Sequence, residues 1–346
     1  MSDRAPPVVG ATHASPSTIS VEAPVRLDFA GGWTDVPPFV DREGGLVINA
    51  AIDRHVRVEV SRRPSGILLH AEDLDETLEV ASVSDLAPTG VLALLQAAVM
   101  RFVPEGGVEL RTRTDAPLGS GLGASGALGT ALAFACQLLQ GHDIAPEEAA
   151  RLGWQLEVGD CGLAGGRQDQ YAAALGGFNL FSFSADQVDT TAISLPANVR
   201  ALLEEHLVLC YLGESRASSD TITRVMNAYT EGVDRVVRAL SEMKDIARRM
   251  AQALPEGDLE HIGHLVARNW ECQMTLDDGM QTDAMRQVEA AAADAGALGG
   301  KAVGAGGGGC MVFVAGGDPQ AVKRAAINAG ATVLPLHLEA VGVHQC

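Results

Sequence analysis

Positive charge is scarce in this chain. Its 25 Lys and Arg stand against 44 Asp and Glu, a formal charge of −19 with a pI near 4.8. A nucleic-acid binder needs a basic face to neutralise phosphates, so that class is excluded. A small anionic ligand is not, because it responds to local dipoles more than to global charge. Long apolar runs are missing too: none approaches the roughly 20 residues of a membrane span. The N-terminal MSDRAPPVVGATHASPSTIS lacks the apolar centre of a signal peptide, so a cytoplasmic location is the expectation. No CxxC pair occurs among Cys136, Cys161, Cys210, Cys272, Cys310 and Cys346, and several lie in apolar runs. They read as reduced, buried thiols rather than disulfides or a zinc site. Aromatic residues make up only 4%. The core must therefore be built from Ala, Leu and Val, and the 39 glycines need explaining.

What is present describes a folded protein, with 47% hydrophobic and 20% charged residues. Residues 1–20 are Pro/Ser/Ala-rich and read as a flexible tail. Val21–Phe29 reads as a strand. Val56, Val58 and Val60 alternate with Arg57 and Glu59, the period of a half-buried strand. Arg62–Gly66 then reads as a turn into Ile67–His70, an antiparallel pairing. Helical spacing follows at 91–102, at 126–139 after a glycine-rich loop, from Pro146 to about Glu157, and over much of 218–264. Strands are expected at His206–Leu212, Met311–Val314 and Val333–Leu338. Helices and strands mix without a regular βαβ repeat, so the fold class is α+β. Ser194–Asn198 has linker character, which divides the chain into 21–196 and 197–346.

Four segments can carry chemistry. Pro117-Leu118-Gly119-Ser120-Gly121-Leu122-Gly123-Ala124-Ser125-Gly126 lies between a strand and a helix. Its glycines let backbone N–H groups converge, and the helix adds its positive end, an anion cradle suited to a triphosphate. No Gly-Lys-Ser/Thr closes it, so it is not a Walker A loop. A tight turn without ligand is the bland alternative. In Gly165-Gly166-Arg167-Gln168-Asp169-Gln170-Tyr171, Asp169 can act as a base or hold a hydroxyl. Glu157 lies twelve residues upstream. A carboxylate, a hydroxyl and phosphates together suit Mg²⁺, although a lone Glu is more often a solvated helix residue. In Arg26-Leu27-Asp28-Phe29-Ala30-Gly31-Gly32-Trp33-Thr34-Asp35, a strand ends on a turn carrying an aromatic, a hydroxyl and an acid, which suits a polyol; an Asx-capped turn is the alternative. Gly304-Ala305-Gly306-Gly307-Gly308-Gly309-Cys310 enters an apolar strand and implies backbone packed against a ligand or another backbone.

In this order, these segments resemble the GHMP kinase superfamily, which includes galactokinase and the homoserine, mevalonate and phosphomevalonate kinases. The likeness covers about residues 21–345. GGWTDVPP, GGLVINAAID and GGRQDQYAAALGGFN are most similar to D-glycero-D-manno-heptose 7-phosphate kinases and L-fucose kinases, which phosphorylate the anomeric C1 hydroxyl. The resemblance implies an N-terminal domain like ribosomal protein S5 domain 2, a ferredoxin-like C-terminal domain and an active site between them. It implies ATP and Mg²⁺ as cofactors and a small sugar or sugar phosphate as partner, and leaves a homodimer open. Pro117 and Gly119 to Ser125 (Ser120, Gly121, Leu122, Gly123, Ala124) would wrap the phosphates. Ser125 and Glu157 would hold the metal. Asp169 would be the catalytic aspartate with Arg26 beside it. Gly32, Trp33, Thr34, Asp35, Gly306 and Gly307 would meet or support the substrate. Gly32 replaces the acid of galactokinases, Ala124 replaces a common serine, and Val36 replaces a Thr frequent in L-fucose kinases. Arg54, His55, Arg216 and Lys301 are candidate partners for a substrate phosphate. A cyclitol substrate, a non-catalytic sensor and a decarboxylase on the same fold are the alternatives.

Overall fold

The computed structural model describes residues 18–346 except 214, 216 and 217. The chain first forms β1 (Ile19–Ala30), α1 (Phe39–Glu43), β2 (Gly45–Arg62), β3 (Ile67–Ala71) and β4 (Glu76–Val80). Next come α2 (Ala93–Phe102), β5 (Val108–Thr114), α3 (Ala124–Leu139), α4 (Pro146–Trp154), α5 (Gln168–Leu175), β6 (Phe178–Phe183) and β7 (Val188–Ala192). The rest is α6 (Ala197–His206), β8 (Leu207–Tyr211), α7 (Ser218–Thr230), α8 (Asp234–Glu256), α9 (Leu259–Met274), α10 (Asp283–Asp294), β9 (Ala297–Ala302), β10 (Cys310–Ala315), α11 (Pro319–Asn328), β11 (Thr332–Leu334) and β12 (His344–Gln345).

Two sheets result. The larger runs β12-β1-β2-β5-β3-β4, with β6 and β7 added on β2; the smaller runs β11-β8-β10-β9. The 18-residue β2 serves as a spine. Along one side it pairs with β1; on the other, its first part pairs with β6 and its last with β5. The Val56–Val60 alternation holds: the three valines are buried. Three strand expectations need correction. β3 does not pair with β2. β5 lies between them and runs parallel to β3, because a parallel partner needs a long crossover, which β4 and α2 supply. The first strand begins at Ile19, inside the expected tail; residues 1–17 lie outside the described part. The last expected strand stops at Leu334, since Pro335 has no N–H to continue a ladder, and Leu338 makes only a single bridge to Ile52.

α3 and α5 pack on β1 and β2, α8 packs on the same two strands, and α9 lies on β9 and β10 while also reaching β1. One continuous apolar core joins the two sheets. The six cysteines are free thiols. Burial pushes Cys136, Cys210, Cys272 and Cys310 up to about 12. The expectation that all are buried fails for Cys161 and Cys346, which keep contact with solvent. No helix of the described residues is long and apolar enough to cross a membrane.

Candidate active site

A cleft of about 510 Å³ opens between the two sheets. The end of β1 supplies Arg26 and Asp28, the following turn supplies Gly32, Trp33 and Asp35, and the segment after β9 supplies Val303, Gly304 and Ala305. The glycine-rich loop forms one wall. Gly119, Gly121 and Gly123 all have positive φ, at 63°, 74° and 81°, the region where a side chain is strained. Gly123 hands over directly to α3. The first-turn N–H groups of α3, which no helical carbonyl can reach, therefore belong to residues such as Ala124 and Ser125 that line the cleft. A Cβ on Gly304 would lie 2.7 Å from the Gly121 Cα. The two glycine segments thus meet backbone to backbone, and the loop is held against the second sheet.

Arg26 is almost fully buried and organises the centre. Its Nε donates to Asp169 Oδ1 at 2.8 Å, and its Nη2 lies 2.7 Å from the same oxygen. Its Nη1 donates to the Gly121 and Val303 carbonyls. One guanidinium therefore fixes the aspartate, the loop and the second-sheet segment together. Asp169 sits in the first turn of α5. Asp35 holds the start of that helix: its Oδ2 accepts from the N–H of Arg167 (2.8 Å) and Gln168 (3.0 Å). Burial nevertheless pushes the Asp35 carboxyl up to about 6, and the nearby Asp169 charge adds to the rise.

Ser125 and Glu157 come together as expected. The Ser125 hydroxyl donates to Glu157 Oε1 at 2.6 Å, and Gln170 Nε2 donates to Glu157 Oε2 at 2.6 Å. The route differs from the expected α-helix. α4 ends at Trp154, and Gln155–Asp160 continues as a π-helical turn that carries Glu157. Desolvation, reinforced by Asp169, raises the Glu157 carboxyl to about 7. Two oxygen donors of this kind fit a hard divalent cation.

Several expected contacts are not made. Thr34 is fully buried and does not line the cleft. Its hydroxyl is used within the turn, donating to the Gly31 carbonyl and accepting from the Leu46 N–H. Gly306 and Gly307 turn away, and the Gly307 N–H donates to the Met280 carbonyl. Pro117 and Leu122 shape the loop from behind, through carbonyls that accept from Ser120 and Arg26. Of the candidate phosphate partners, Arg54 donates to the Asp115 and Pro335 carbonyls, and His55 lies beside Glu339. Lys301 is buried against Asp28, and Arg216 is outside the described residues. Gln168 and Gln170, the two amides beside Asp169, also line the cleft, as does Asp28, to which the sequence reading assigned no role. The two-residue period of β1, which puts Asp28 on the face of Arg26, was the available signal.

Family models match two stretches: the GHMP kinases N terminal domain over residues 88–177 and the GHMP kinases C terminal over 250–332. A D-glycero-alpha-D-manno-heptose 7-phosphate kinase from Campylobacter jejuni is 30% identical over 86% of this chain and 89% of its own length. An L-fucokinase/L-fucose-1-P guanylyltransferase from Bacteroides fragilis is also 30% identical, over 87% of this chain, which spans only 35% of that longer protein. The crystal structure of a D-glycero-D-manno-heptose 1-phosphate kinase from Bacteroides thetaiotaomicron superposes with a TM-score of 0.77 at 28% identity, covering 95% of this chain and 98% of the other. With this similarity running almost end to end, the chain belongs to the GHMP kinase family and is a phosphotransferase acting on an alcohol group, with that family's two-domain fold.

Proposed function

We propose that this protein transfers the terminal phosphoryl group of ATP to the anomeric C1 hydroxyl of a sugar, with D-glycero-D-manno-heptose 7-phosphate as the leading acceptor. The observation that carries the reading is the Arg26–Asp169 pair set directly against the glycine-rich loop in one cleft. The name of the Campylobacter relative supports the choice of sugar. The reading keeps a division of the chain near residue 196, ahead of α6.

Phosphoryl transfer asks mainly for alignment and charge neutralisation. In this reading the loop N–H groups hold the β- and γ-phosphates. Asp169 orients the C1 hydroxyl and accepts its proton as O1 attacks the γ-phosphorus. The bond from that phosphorus to the bridging oxygen breaks, and ADP leaves. Arg26 keeps the Asp169 carboxylate turned towards the acceptor. Ser125 and Glu157 would hold Mg²⁺, whose chemistry is to neutralise phosphate charge.

A second acceptor class, an unphosphorylated sugar such as L-fucose, is favoured by the lining. Among the described residues of the cleft wall the cation is Arg26, already paired with Asp169. The test is ATP consumption with Mg²⁺ over heptose 7-phosphates, L-fucose, D-mannose, galactose and mevalonate, with ³¹P NMR of the product. An anomeric phosphate signal from the heptose 7-phosphate supports the leading reading, and one from L-fucose alone moves it to the second. Phosphorylation of a non-anomeric hydroxyl, or of no sugar, overturns it.

A further inference from the structure

Asp28 is a buried carboxylate with one idle oxygen. The residue lines the cleft, and its Oδ2 is 2.8 Å from the Lys301 Nζ, which also donates to the Asp28 carbonyl at 2.8 Å. Lys301 is fully buried and comes from the other sheet, 273 positions along the chain. Oδ1 is buried and has no protein partner, and the same is true of Gln168 Oε1 nearby. Buried acceptors without donors are rare, and each calls for an explanation. The ion pair explains why the carboxylate is tolerated, not why half of it is left unmet.

Gly32 bears on the answer. A Cβ at this position would fall 2.3 Å from Asp28 Oδ2 and 3.1 Å from Gln168 Nε2. Any side chain there would collide with the carboxylate. The absence of one at residue 32 is what lets Asp28 occupy this corner of the cleft. Two buried acceptors without a protein donor call for a ligand that brings donors. A phosphate or carboxylate brings none and would face the Asp28 charge.

We propose that Asp28 is a specificity-determining residue whose Oδ1 accepts a hydrogen bond from a neutral hydroxyl of the acceptor, and that Lys301 fixes the carboxylate for this contact. The proposal rests on the reading of the cleft as a sugar site. It assigns the hydroxylated, uncharged part of the acceptor to the corner between Asp28 and Gly32, and any charged substituent elsewhere.

The test compares wild type and Asp28→Asn on whichever of D-glycero-D-manno-heptose 7-phosphate and L-fucose the wild type phosphorylates, and on the monodeoxy analogues of that sugar. Asp28→Asn should raise the acceptor KM about 10- to 100-fold and leave the KM for ATP unchanged. One deoxy analogue should be used poorly by the wild type yet show almost no further loss in the variant, because the hydrogen bond is already absent. Gly32→Ala, which displaces the carboxylate sterically, should show the same selectivity. If Asp28→Asn fails to fold, Asp28→Asn with Lys301→Met removes both buried charges and carries the same comparison. An equal loss on the parent sugar and all its analogues, or an unchanged acceptor KM, overturns the proposal. Wild-type inactivity on every sugar overturns the sugar reading instead.

Discussion

Replacing Glu157 by Gln should stabilise the ligand-free protein at pH 8 and have little effect at pH 5. The carboxyl is raised from 4.5 to about 7, mainly by desolvation and further by Asp169. A carboxyl raised on folding contributes stability that is fully present below its unfolded value, near 4.5, and is lost as pH rises through about 7. The difference corresponds to about 3 kcal/mol. Glu157 keeps some contact with solvent, so about 2 kcal/mol is the better expectation. Gln removes the charge at little cost in hydrogen bonding. Ser125 can still donate to its carbonyl, and Gln170, whose Oε1 has no partner, can flip to accept from the new amide.

For 346 residues the unfolding entropy is about 0.7 kcal/mol/K, so about 2 kcal/mol raises Tm by about 3 °C. Differential scanning calorimetry of both proteins at pH 5 and pH 8 reads this directly. Adding Mg²⁺ with a non-hydrolysable ATP analogue at pH 8 should stabilise the wild type more than the analogue with EDTA does, and Glu157→Gln should lose that difference. A variant melting at or below the wild type at pH 8 would refute the argument that this carboxylate is held charged at the expense of stability. A metal-dependent shift that survives in Glu157→Gln would refute its role as a ligand.

Three further outcomes follow from the same geometry. Asp169→Asn should lower kcat about 10²- to 10⁴-fold with the KM for ATP unchanged, measured by coupled ADP release; near-wild-type turnover would remove Asp169 as the base. Gly304→Ala puts a Cβ 2.7 Å from the Gly121 Cα. It should destabilise by about 1–3 kcal/mol in urea titration and weaken ATP binding, since the loop must move off the second sheet. Asp35, raised to about 6, makes the start of α5 pH-sensitive. Its contribution to stability is fully present below about 3.8 and is lost as pH rises through about 6, whereas its carboxylate is the better acceptor for the Arg167 and Gln168 N–H groups above that value. Acceptor KM should therefore rise below pH 6, and Asp35→Asn should flatten the profile.

Much of this site was legible because its signals are local. Alternate glycines at 119, 121 and 123 permit the tight loop read from the sequence, and all three adopt positive φ. The strand after GAGGGG and the Val56–Val60 alternation are equally local. What failed depends on where a side chain points once neighbours arrive. Thr34 lies in a segment that does face the cleft, yet its hydroxyl is taken by Gly31 and Leu46. Gly306 and Gly307 share a run with Gly304 but curl onto Met280. Glu157 reaches Ser125 through a π-helical turn that no hydrophobic period reveals.

The residues that the sequence hid are those whose meaning is a pairing across the chain. Lys301 reads as a spare cation for a substrate phosphate until Asp28 is found beside it. The pair is what the cleft between two sheets makes possible. One sheet brings a carboxylate, the other a buried ammonium that neutralises it, and Gly32 leaves the room. Arg26 repeats the logic, since its fork reaches Asp169, Gly121 and Val303 from one position. In both cases a cation is used up inside the protein to hold an acid in place. This arrangement explains how a chain so short of basic residues can still hold ordered carboxylates along the cleft, and why charge composition alone said little about the acceptor.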